Sequence, residues 1–421
     1  MLSVCSAESH ENRAASGTPD FAPSEPARES PADARLFPAP MTAKRSTPER
    51  ESKSPWGTSP WQIDFTIPSQ PVPASVDFAI IGGGFTGLAA AAWLGHLAPG
   101  KSVAVFEALG IGSGASGRTG GMALAETAAG DLPGLGDVLG VFQQILAKLR
   151  IDCDLALPGA WEVGRSNGMQ GSPIDWKDSG RLRVVKEVPG GTLDPAKLVA
   201  GLARAAVERD AFILEHQPVT GIEWKDRPVV EVGGAHCSAG KVLLATNALS
   251  LDLTNLAGHA EPKLTLAIAT EPLSAVQLGA IGLAGGNPFY TVDLPYLWGR
   301  VRRNRSVIFG AGLVDAPRSR DLTKIDIGKG KAPELFARIE RRIRSLHPAL
   351  EKSKFRHRWG GPILFTENWQ PVFMRHPRSE NAIVLGAYAG HGVALSTYLG
   401  AWAAEVLLGR RKLPHWGALQ D

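Results

Sequence analysis

The clearest hydrophobic pattern in the chain begins at residue 76. Residues 76–84 (VDFAIIGGG) are an apolar run that ends in glycines, residues 85–98 are rich in Ala and Leu, and residues 101–108 (KSVAVFEA) are a second apolar run. A buried strand, a tight turn, a buried helix and another buried strand within about 30 residues are typical of a βαβ crossover. The sequence therefore predicts two parallel strands joined by a helix at this point.

The rest of the chain alternates between helical and strand-like patterns. Helices are predicted in residues 131–152, 195–210, 333–348 and 393–409, where apolar residues recur with a helical period. Strands are predicted in WEVGRS, GRLRVVKEV, AFILEHQPVTGIEW, VVEVGG, KVLLATNALS, TLAIATEPLS, PYLWGRV, SVIFGAGLV and AIVLGAYAGHG. The alternation over residues 264–315 favours a second, mostly antiparallel sheet.

These patterns predict an α/β protein with a Rossmann-like dinucleotide-binding domain and a discontinuous antiparallel β-sheet domain for the substrate. The α/β pattern is interrupted twice, so neither domain is one continuous stretch of chain. The predicted division is a disordered leader over 1–54, a dinucleotide-binding domain over 55–157, 192–262 and 355–421, and a substrate domain over 158–191 and 263–354.

The leader is rich in proline and mixed charges and has few apolar residues, so it cannot bury enough surface to fold. Trp56 and Trp61 follow it, and tryptophans in a polar segment predict that this end docks onto the body of the protein. Residues 78–98 contain no charged Asp, Glu, Lys or Arg, but their central glycines favour a strand, a turn and a helix over a membrane span.

Composition and charge exclude several classes of protein. The formal net charge is only +4, from 45 basic and 41 acidic residues, so neither nucleic acid nor an anionic membrane is indicated as a partner. Cys5, Cys153 and Cys237 lie far apart, without the spacing of a zinc site or a disulfide framework. We therefore expect no metal site and a reducing, cytoplasmic location.

The glycines after the first strand form a dinucleotide-binding fingerprint. Gly82, Gly84 and Gly87, with Phe85 and Thr86 between them, satisfy GxGxxG directly between the predicted strand and helix. Such glycines permit a tight turn, a close approach of the pyrophosphate and close packing of helix on strand, and the helix N-terminus attracts phosphate. Glu107 ends the second strand, where an acidic residue binds a ribose hydroxyl.

A Ser- and Gly-rich loop after Glu107 favours FAD over NAD. The stretch GIGSGASGRTGG (110–121) suits the continued wrapping of an elongated dinucleotide, Arg118 can neutralise phosphate, and the glycines let the backbone approach a flavin. No second GxGxxG follows a predicted strand: GLGDVLG lacks the strand, and GAGLVD lacks the last glycine. A separate NAD domain is therefore not expected.

Several motifs in order resemble one family of flavoproteins. IIGGGFTGLAAA, GSGASGRTGG, GTLDPAKLVAGLARAAVERDAFILE with PVTGIEW, VLLATNALS and GAYAGHGVALSTYLG are similar to motifs of the D-amino-acid oxidase/glycine oxidase superfamily. The GASGRTGG loop resembles the gamma-glutamylputrescine oxidoreductase branch in particular. The resemblance covers roughly residues 56–421.

This resemblance implies which residues hold FAD. Val219 would contact the adenine, Ala245–Asn247 would pass under the pyrophosphate, and residues 390–393 would lie at the flavin ring. The last helix would then point its N-terminus at the flavin, which favours an anionic reduced ring. The full set of expected cofactor-binding residues is Gly82, Gly84, Phe85, Thr86, Gly87, Glu107, Ala115, Ser116, Arg118, Thr119, Gly120, Gly121, Val219, Ala245, Thr246, Gly390, His391, Gly392 and Val393.

The resemblance also implies the reaction, which is oxidation of a C–N bond by hydride transfer to flavin N5 and hydrolysis of the resulting imine. Oxygen or another acceptor would reoxidise the flavin. Some relatives attach FAD through a cysteine, but none lies in the C-terminal half here, so we expect non-covalent FAD. Amino-acid-oxidising members hold a carboxylate with an Arg after a Trp-x-Gly; here Pro362 and Ile363 follow Trp359 and Gly361 instead. An amine such as a gamma-glutamyl polyamine is therefore favoured over a free amino acid.

Five residues are candidates for the active site: Tyr290, Tyr296, Trp298, Arg300 and His391. The aromatic residues would form pocket walls, or else pack in the core, and two of only four tyrosines fall in this segment. Arg300 or Arg302 would bind a carboxylate, or else belong to a solvated basic strand edge. His391 would lie at the flavin without acting as a general base, or else be a core histidine bonded to backbone.

Three other functions stay open from the sequence. The first is a glycine/sarcosine-type amino-acid oxidase with the same fold. The second is a flavin-binding protein without oxidase activity, and the third is an NAD-dependent dehydrogenase.

Overall fold

The computed structural model describes residues 54–165 and 168–419, which belong to one compact unit, Ser52–Asp421. The predicted leader and Cys5 lie outside the described residues, apart from Ser54 at the leader's end. No helix in the described part of the chain is long and apolar enough to cross a membrane.

Seven helices occur in the described residues. They are α1 (Phe85–Leu97), α2 (Val138–Leu149), α3 (Pro195–Val207), α4 (Leu251–Thr254), α5 (Ala275–Ala280), α6 (Ala332–Leu346) and α7 (Gly392–Leu407). Helix α3 begins where the sequence predicts it: the Asp194 carboxylate accepts hydrogen bonds from the N–H groups of Ala196 and Lys197, and Pro195 occupies the first turn. Short 3₁₀ helices lie at Ser116–Arg118, Leu322–Lys324, Pro348–Leu350 and His415–Gly417.

Eighteen strands occur in the same residues. They are β1 (Ser75–Ile81), β2 (Val103–Phe106), β3 (Met122–Leu124), β4 (Ala160–Gly164), β5 (Asp175–Lys177), β6 (Arg181–Val188), β7 (Gly190–Thr192), β8 (Phe212–Leu214), β9 (Val219–Glu223), β10 (Val229–Val232), β11 (Ala235–Leu244), β12 (Ala260–Thr270), β13 (Phe289–Thr291), β14 (Trp298–Val301), β15 (Val307–Asp315), β16 (Phe355–Thr366), β17 (Val372–His376) and β18 (Ser379–Gly386).

The first sheet is the predicted α/β portion. Its strand order is β17-β18-β11-β1-β2-β8, with the β9–β10 hairpin added to β11. Strand β1 pairs in parallel with β2 and with β11, as the βαβ pattern predicts. The strands β2 and β8, and also β11 and β18, are parallel, so their carboxyl ends meet at one edge. Ligands of open parallel sheets bind at that edge.

The second sheet has the order β16-β12-β15-β14-β13-β4-β6-β5. All its neighbouring strands are antiparallel except β13 and β4, which are parallel. A small third sheet joins β3 to β7. The chain is thus a mixed α/β protein in which the second sheet is mostly antiparallel.

The side chains of β1 alternate between two hydrophobic cores, one on each face of the first sheet. Phe78 and Ile80 belong to a core with α1, α2, α3 and α7, whereas Ala79 and Ile81 belong to a second core that includes the second sheet and α6. Successive side chains of a strand point to opposite faces, so β1 is buried on both sides from Phe78 to Ile81, where it has no polar residue. Helix α6 contributes Phe336, Ile339 and Ile343 to the second core, and its other faces carry the charges seen in the sequence.

The predicted domain division stays a prediction, since the described residues form one compact unit. Strand β16 lies in the second sheet, paired with β12, although the predicted division placed residues 355–366 with the dinucleotide-binding part. The segment RWGGPILFT contains two glycines and a proline, and it is extended in β16, where it pairs with the long strand β12.

Candidate active site

One cavity of about 1390 Å³ connects the glycine fingerprint to the aromatic segment near Tyr290. It is lined by residues after β1, β2 and β11, by the loop over 113–120, by β13 and the loop that follows it, and by the start of α7. Pockets for small ligands usually measure about 300–1,000 Å³, so this cavity has room for a dinucleotide and a small substrate together.

The fingerprint has the geometry that its spacing predicts. Gly82 has a φ of +112°, and a Cβ there would lie 2.7 Å from the carbonyl oxygen of Ala245. A Cβ on Gly87 would clash with the carbonyl oxygen of Gly82, so this glycine lets α1 pack on the turn. A Cβ on Gly84 would lie 2.9 Å from Oγ of Ser116, whose hydroxyl accepts a hydrogen bond from the N–H of Phe85.

The carboxylate of Glu107 organises the turn beside the fingerprint. It accepts hydrogen bonds from the N–H groups of Gly83 (2.8 Å) and Leu109 (2.9 Å). Each carboxylate oxygen has two lone pairs, so Glu107 retains acceptor capacity toward the cavity that it lines. Val219 lines the cavity near it.

The start of α7 forms another part of the wall. The N–H of His391 donates to the carbonyl of Tyr388, and the helix begins at Gly392 with no side-chain cap. Burial lowers the pKa of His391, opposed by the negative charge of Glu126 and by a backbone hydrogen bond, so the imidazole is neutral at pH 7. Tyr388 hydrogen-bonds Thr86 through its hydroxyl (2.7 Å) and thereby joins this loop to α1.

Tyr290 on β13 joins two acidic residues at the cavity wall. Its hydroxyl lies 2.7 Å from Oε1 of Glu126 and 3.2 Å from Oε1 of Glu162. Burial, followed by the hydrogen bond and charge of Glu126, raises the pKa of Tyr290, so the phenol stays protonated. The ring of Tyr290 meets that of His391 edge-on at 6.4 Å between centroids.

Trp298 fills a slot that two glycines create. A Cβ on Gly120 or on Gly310 would clash with the indole ring of Trp298. The ring lines the cavity and is partly buried. Gly120 is therefore required for the placement of Trp298, in addition to any role in letting the backbone approach a flavin.

Tyr296 lies in the loop after β13 and also lines the cavity. Arg342 holds this loop by donating to the carbonyl oxygens of Tyr296 (3.0 Å) and Pro295 (2.7 Å). Arg342 is itself fixed by the carboxylate of Asp178 at 2.6 Å.

The family is decided by the match of a family model to most of the chain. The model described as DAO, FAD dependent oxidoreductase, matches residues 77–406. The chain belongs to this family. It is an FAD-dependent oxidoreductase.

Two curated relatives resemble most of the chain. "Probable oxidoreductase OrdL" of Rhizobium meliloti is 29% identical and covers 82% of this chain and 87% of its own length. "Gamma-glutamylputrescine oxidoreductase" of Escherichia coli is 27% identical and covers 81% and 87%. The structure of glycine oxidase from Geobacillus kaustophilus has a TM-score of 0.63 at 18% identity, covers 83% of this chain and 99% of its own, and shows the fold alone.

The residues of this DAO-family chain fit FAD. Thr246, which follows β11, lines the cavity, and its buried hydroxyl has no hydrogen-bond partner among the described residues. Buried hydroxyls are rarely left unpaired, so a ligand polar group at this point is indicated. The glycine turn and the N-terminus of α1 stand on the same cavity and would hold the pyrophosphate.

Most of the predicted cofactor residues line this cavity together. Those that do are Gly82, Gly84, Phe85, Thr86, Glu107, Ala115, Ser116, Arg118, Thr119, Gly120, Val219, Ala245, Thr246, Gly390, His391, Gly392 and Val393. Gly87 and Gly121 are not part of the lining. Gly87 acts in packing, and Gly121 has a φ of +72° and lies where a Cβ would be 2.5 Å from the carbonyl oxygen of Leu193. Their individual contacts with FAD stay predictions.

The guanidinium of Arg118 is held by oxygen atoms of the protein itself. It donates to the carbonyl oxygens of Ser113, Gly57 and Gly360 and to Oγ of Ser54. Burial lowers the pKa of Arg118. Arg118 lines the cavity, but its hydrogen bonds hold Ser113, Gly360 and the chain that precedes β1, so the expectation that it neutralises phosphate stays a prediction.

Arg300 also differs from its expected role as a carboxylate ligand. Its guanidinium donates to the carbonyl oxygens of Leu193 (2.5 Å), Gly121 (3.1 Å) and Val301 (3.2 Å), and it does not line the cavity. Arg302 donates to the carbonyl of Pro60. Both guanidinium groups lie over the ring of Trp61, so both side chains are turned to the N-terminal segment.

Three functional candidates were missed by sequence reasoning: Glu126, Glu162 and Tyr388. Glu126 is a single acidic residue in the small, apolar stretch MALAETAAG, which was the signal available. Glu162 and Tyr388 carried no comparable signal. Glu162 comes to the site because β4 pairs with β13, and Tyr388 because its loop packs on α1.

Proposed function

We propose that the protein oxidises the C–N bond of an amine with non-covalent FAD. The charge of the cavity wall carries this proposal: around Tyr290 it presents the carboxylates of Glu126 and Glu162. A wall of this charge attracts a cationic amine and repels a carboxylate placed directly beside it, as in an alpha-amino acid. In a gamma-glutamyl polyamine the carboxylate lies at the far end of the molecule from the terminal amine. The segment after Trp359, where an arginine would be expected for an amino acid, contributes Gly361, Pro362 and Ile363 instead.

The residues of the wall suit this chemistry. Bound FAD would accept a hydride from the carbon beside the nitrogen, and the imine formed is hydrolysed in water. Trp298 and Tyr290 would exclude water and, together with Tyr296, would orient the substrate. No side chain has to exchange a proton in the hydride step. The neutral imidazole of His391 adds no positive charge that would repel a cationic amine as it enters.

The Escherichia coli relative named gamma-glutamylputrescine oxidoreductase supports an amine such as a gamma-glutamyl polyamine as the substrate. A glycine/sarcosine-type amino-acid oxidase is the second candidate. The exposed Arg318 and Arg338, which also line the cavity, favour it, since either could bind a carboxylate.

Anaerobic reduction of the bound flavin tests the proposal. Amines and gamma-glutamyl polyamines are mixed with the holoprotein in one series, and glycine, sarcosine and other amino acids in a second, and loss of the visible flavin absorbance is followed. We expect bleaching by amines and little by amino acids. The reverse pattern establishes the amino-acid oxidase, and a flavin that no donor reduces establishes a non-catalytic flavin-binding protein.

Aerobic turnover of the substrate found in this way identifies the electron acceptor. Release of hydrogen peroxide means that oxygen reoxidises the flavin. Turnover that needs an added dye means that another acceptor does.

A further inference from the structure

Glu126, Tyr290 and Glu162 come from three separate parts of the chain. Glu126 follows β3, Tyr290 lies on β13, and Glu162 lies on β4 directly opposite Tyr290 in the parallel register. Tyr290 is only 7% exposed, and its hydroxyl points between the two carboxylates. A phenol has one proton, so it can satisfy only one carboxylate at a time.

The two carboxylates are poorly compensated by positive charge. Glu162 has Lys186 at 3.8 Å, and the lysine side chain is 63% exposed. Within residues 54–165 and 168–419, no Lys, Arg or His nitrogen lies within 4.0 Å of the Glu126 carboxylate. Both glutamates are partly buried, and partly buried negative charge without a close positive partner is unfavourable, so this wall favours a bound cation.

A second, independent feature of the same wall indicates a ligand. Nδ1 of His391 is buried and has no hydrogen-bond partner among the described residues, although His391 lines the cavity. The ring centroids of His391 and Tyr290 are 6.4 Å apart, so the imidazole belongs to the same part of the wall as the phenol that joins the two carboxylates. The hydrogen bond and negative charge of Glu126 also contribute, after burial, to the raised pKa of Tyr290.

We propose that Glu126, positioned by Tyr290 and supported by Glu162, binds a second, non-reacting ammonium group of the substrate. The substrate class is then a diamine or polyamine whose nitrogens are separated by a chain of methylenes. This inference rests on the proposed amine oxidation and deepens it, because it says which amines are selected.

The reacting nitrogen is not the one that Glu126 binds. Hydride leaves a carbon beside a neutral amine, whereas a nearby carboxylate stabilises the ammonium form. The methylenes would pack against the rings of Trp298 and Tyr296, which line the same cavity and suit a chain that ends in a cation.

Equilibrium binding to the oxidised holoprotein tests the inference without turnover. Isothermal titration calorimetry compares 1,4-diaminobutane with n-butylamine, which has the same carbon chain and one nitrogen fewer. A hydrogen bond between charged groups predicts at least about tenfold tighter binding of the diamine. We expect Glu126→Gln to abolish this preference and Glu187→Gln, at an exposed carboxylate outside the cavity, to preserve it.

Steady-state kinetics give a second readout. For the diamine, Glu126→Gln should raise KM about tenfold or more and change kcat much less, because the carboxylate binds a part of the substrate that does not react. Tyr290→Phe keeps both carboxylates but loses the hydroxyl that positions them. It should therefore weaken the preference for 1,4-diaminobutane over n-butylamine without removing it.

Two results would overturn the inference: equal affinity of the wild-type protein for the two amines, or a Glu126→Gln variant with full flavin content that keeps the diamine preference. The comparison of the two amines on the wild-type protein tests the inference even if the Glu126→Gln variant does not fold. Reduction of the flavin by n-butylamine and 1,4-diaminobutane with equal efficiency means that the inference fails while amine oxidation stands. Selective binding of the diamine without flavin reduction by any amine means that the proposed oxidation fails.

Discussion

Arg300 shows how one buried side chain can serve the scaffold of a site without touching the substrate. Arg300 is only 6% exposed, and its guanidinium donates hydrogen bonds to three backbone carbonyls, including those of Gly121 and Leu193. Burial lowers the pKa of Arg300 to about 10, so the charge is retained at neutral pH. These bonds tie β14, which begins at Trp298, to the backbone at Gly121 and Leu193.

Arg300→Met is expected to lower stability rather than substrate affinity. Met fills much of the same volume but leaves the carbonyls of Gly121 and Leu193 without a donor, which costs about 2–4 kcal/mol of unfolding free energy. Thermal or urea denaturation of the holoprotein measures the loss. Arg338→Met, at an exposed arginine on the cavity, is the matched control and should change stability by less than about 0.5 kcal/mol. A stable Arg300→Met variant with weakened substrate binding would restore the carboxylate-binding role.

At the scale of elements, the segment before β1 is joined by hydrogen bonds to the loop over residues 113–120, which lines the cavity. The indole N–H of Trp56 donates to the carbonyl of Leu322, and that of Trp61 donates to the carbonyl of Thr119. Ser59 donates to the carbonyl of Gly117. Residues 117 and 119 belong to the loop that lines the cavity beside the fingerprint, so this N-terminal segment braces one side of the cofactor site. The predicted docking of the two tryptophans agrees with these contacts.

Trp61→Ala should weaken FAD binding as well as stability. The change removes the hydrogen bond to the carbonyl of Thr119 and the indole ring on which the guanidinium of Arg302 lies. We expect the free energy of unfolding to fall by about 1–3 kcal/mol. Equilibrium dialysis or flavin fluorescence should show a several-fold higher Kd for FAD. Trp224→Ala, which removes a tryptophan stacked on His376 away from the cavity, should leave the FAD affinity unchanged. Equal FAD affinities of wild type and Trp61→Ala would show that the segment does not brace the loop.

At the scale of the whole molecule, the cavity wall is assembled from both large sheets. The first sheet supplies residues after β1, β2 and β11, and the second supplies Tyr290 and Trp298. A ligand that contacts both parts stabilises the folded state by mass action, by about 2.7 kcal/mol at one hundred times its Kd. Removal of FAD should therefore lower the unfolding temperature of the molecule.

Release of FAD tests both this coupling and the non-covalent attachment. Cys153 and Cys237 are buried outside the cavity, and burial raises their pKa values to about 12 and about 11, so neither supplies a thiolate for a flavin bond. Acid precipitation of the holoprotein should leave all the flavin in the supernatant. The flavin-free protein should unfold several degrees lower by differential scanning fluorimetry and recover on addition of FAD. Yellow colour in the acid pellet would contradict non-covalent attachment.

The sequence by itself determined the local features. The apolar runs around Gly82, the periodic helices and the capping of α3 at Asp194 depend on residues close in the chain, whose chemistry acts within one turn or one strand. The fingerprint and Glu107 were predicted for the same reason, because they come from one βαβ unit.

Only the tertiary structure decided where long side chains end. Arg118 and Arg300 looked available for a ligand, yet their guanidinium groups meet carbonyls from segments distant in sequence, such as Gly57 and Leu193. Glu126 and Glu162 became neighbours only through the packing of β13 beside β4 and of the β3 loop over them. Periodicity predicts the face on which a residue lies, but a flexible arginine or glutamate chooses its partner from whatever the fold brings within hydrogen-bonding distance.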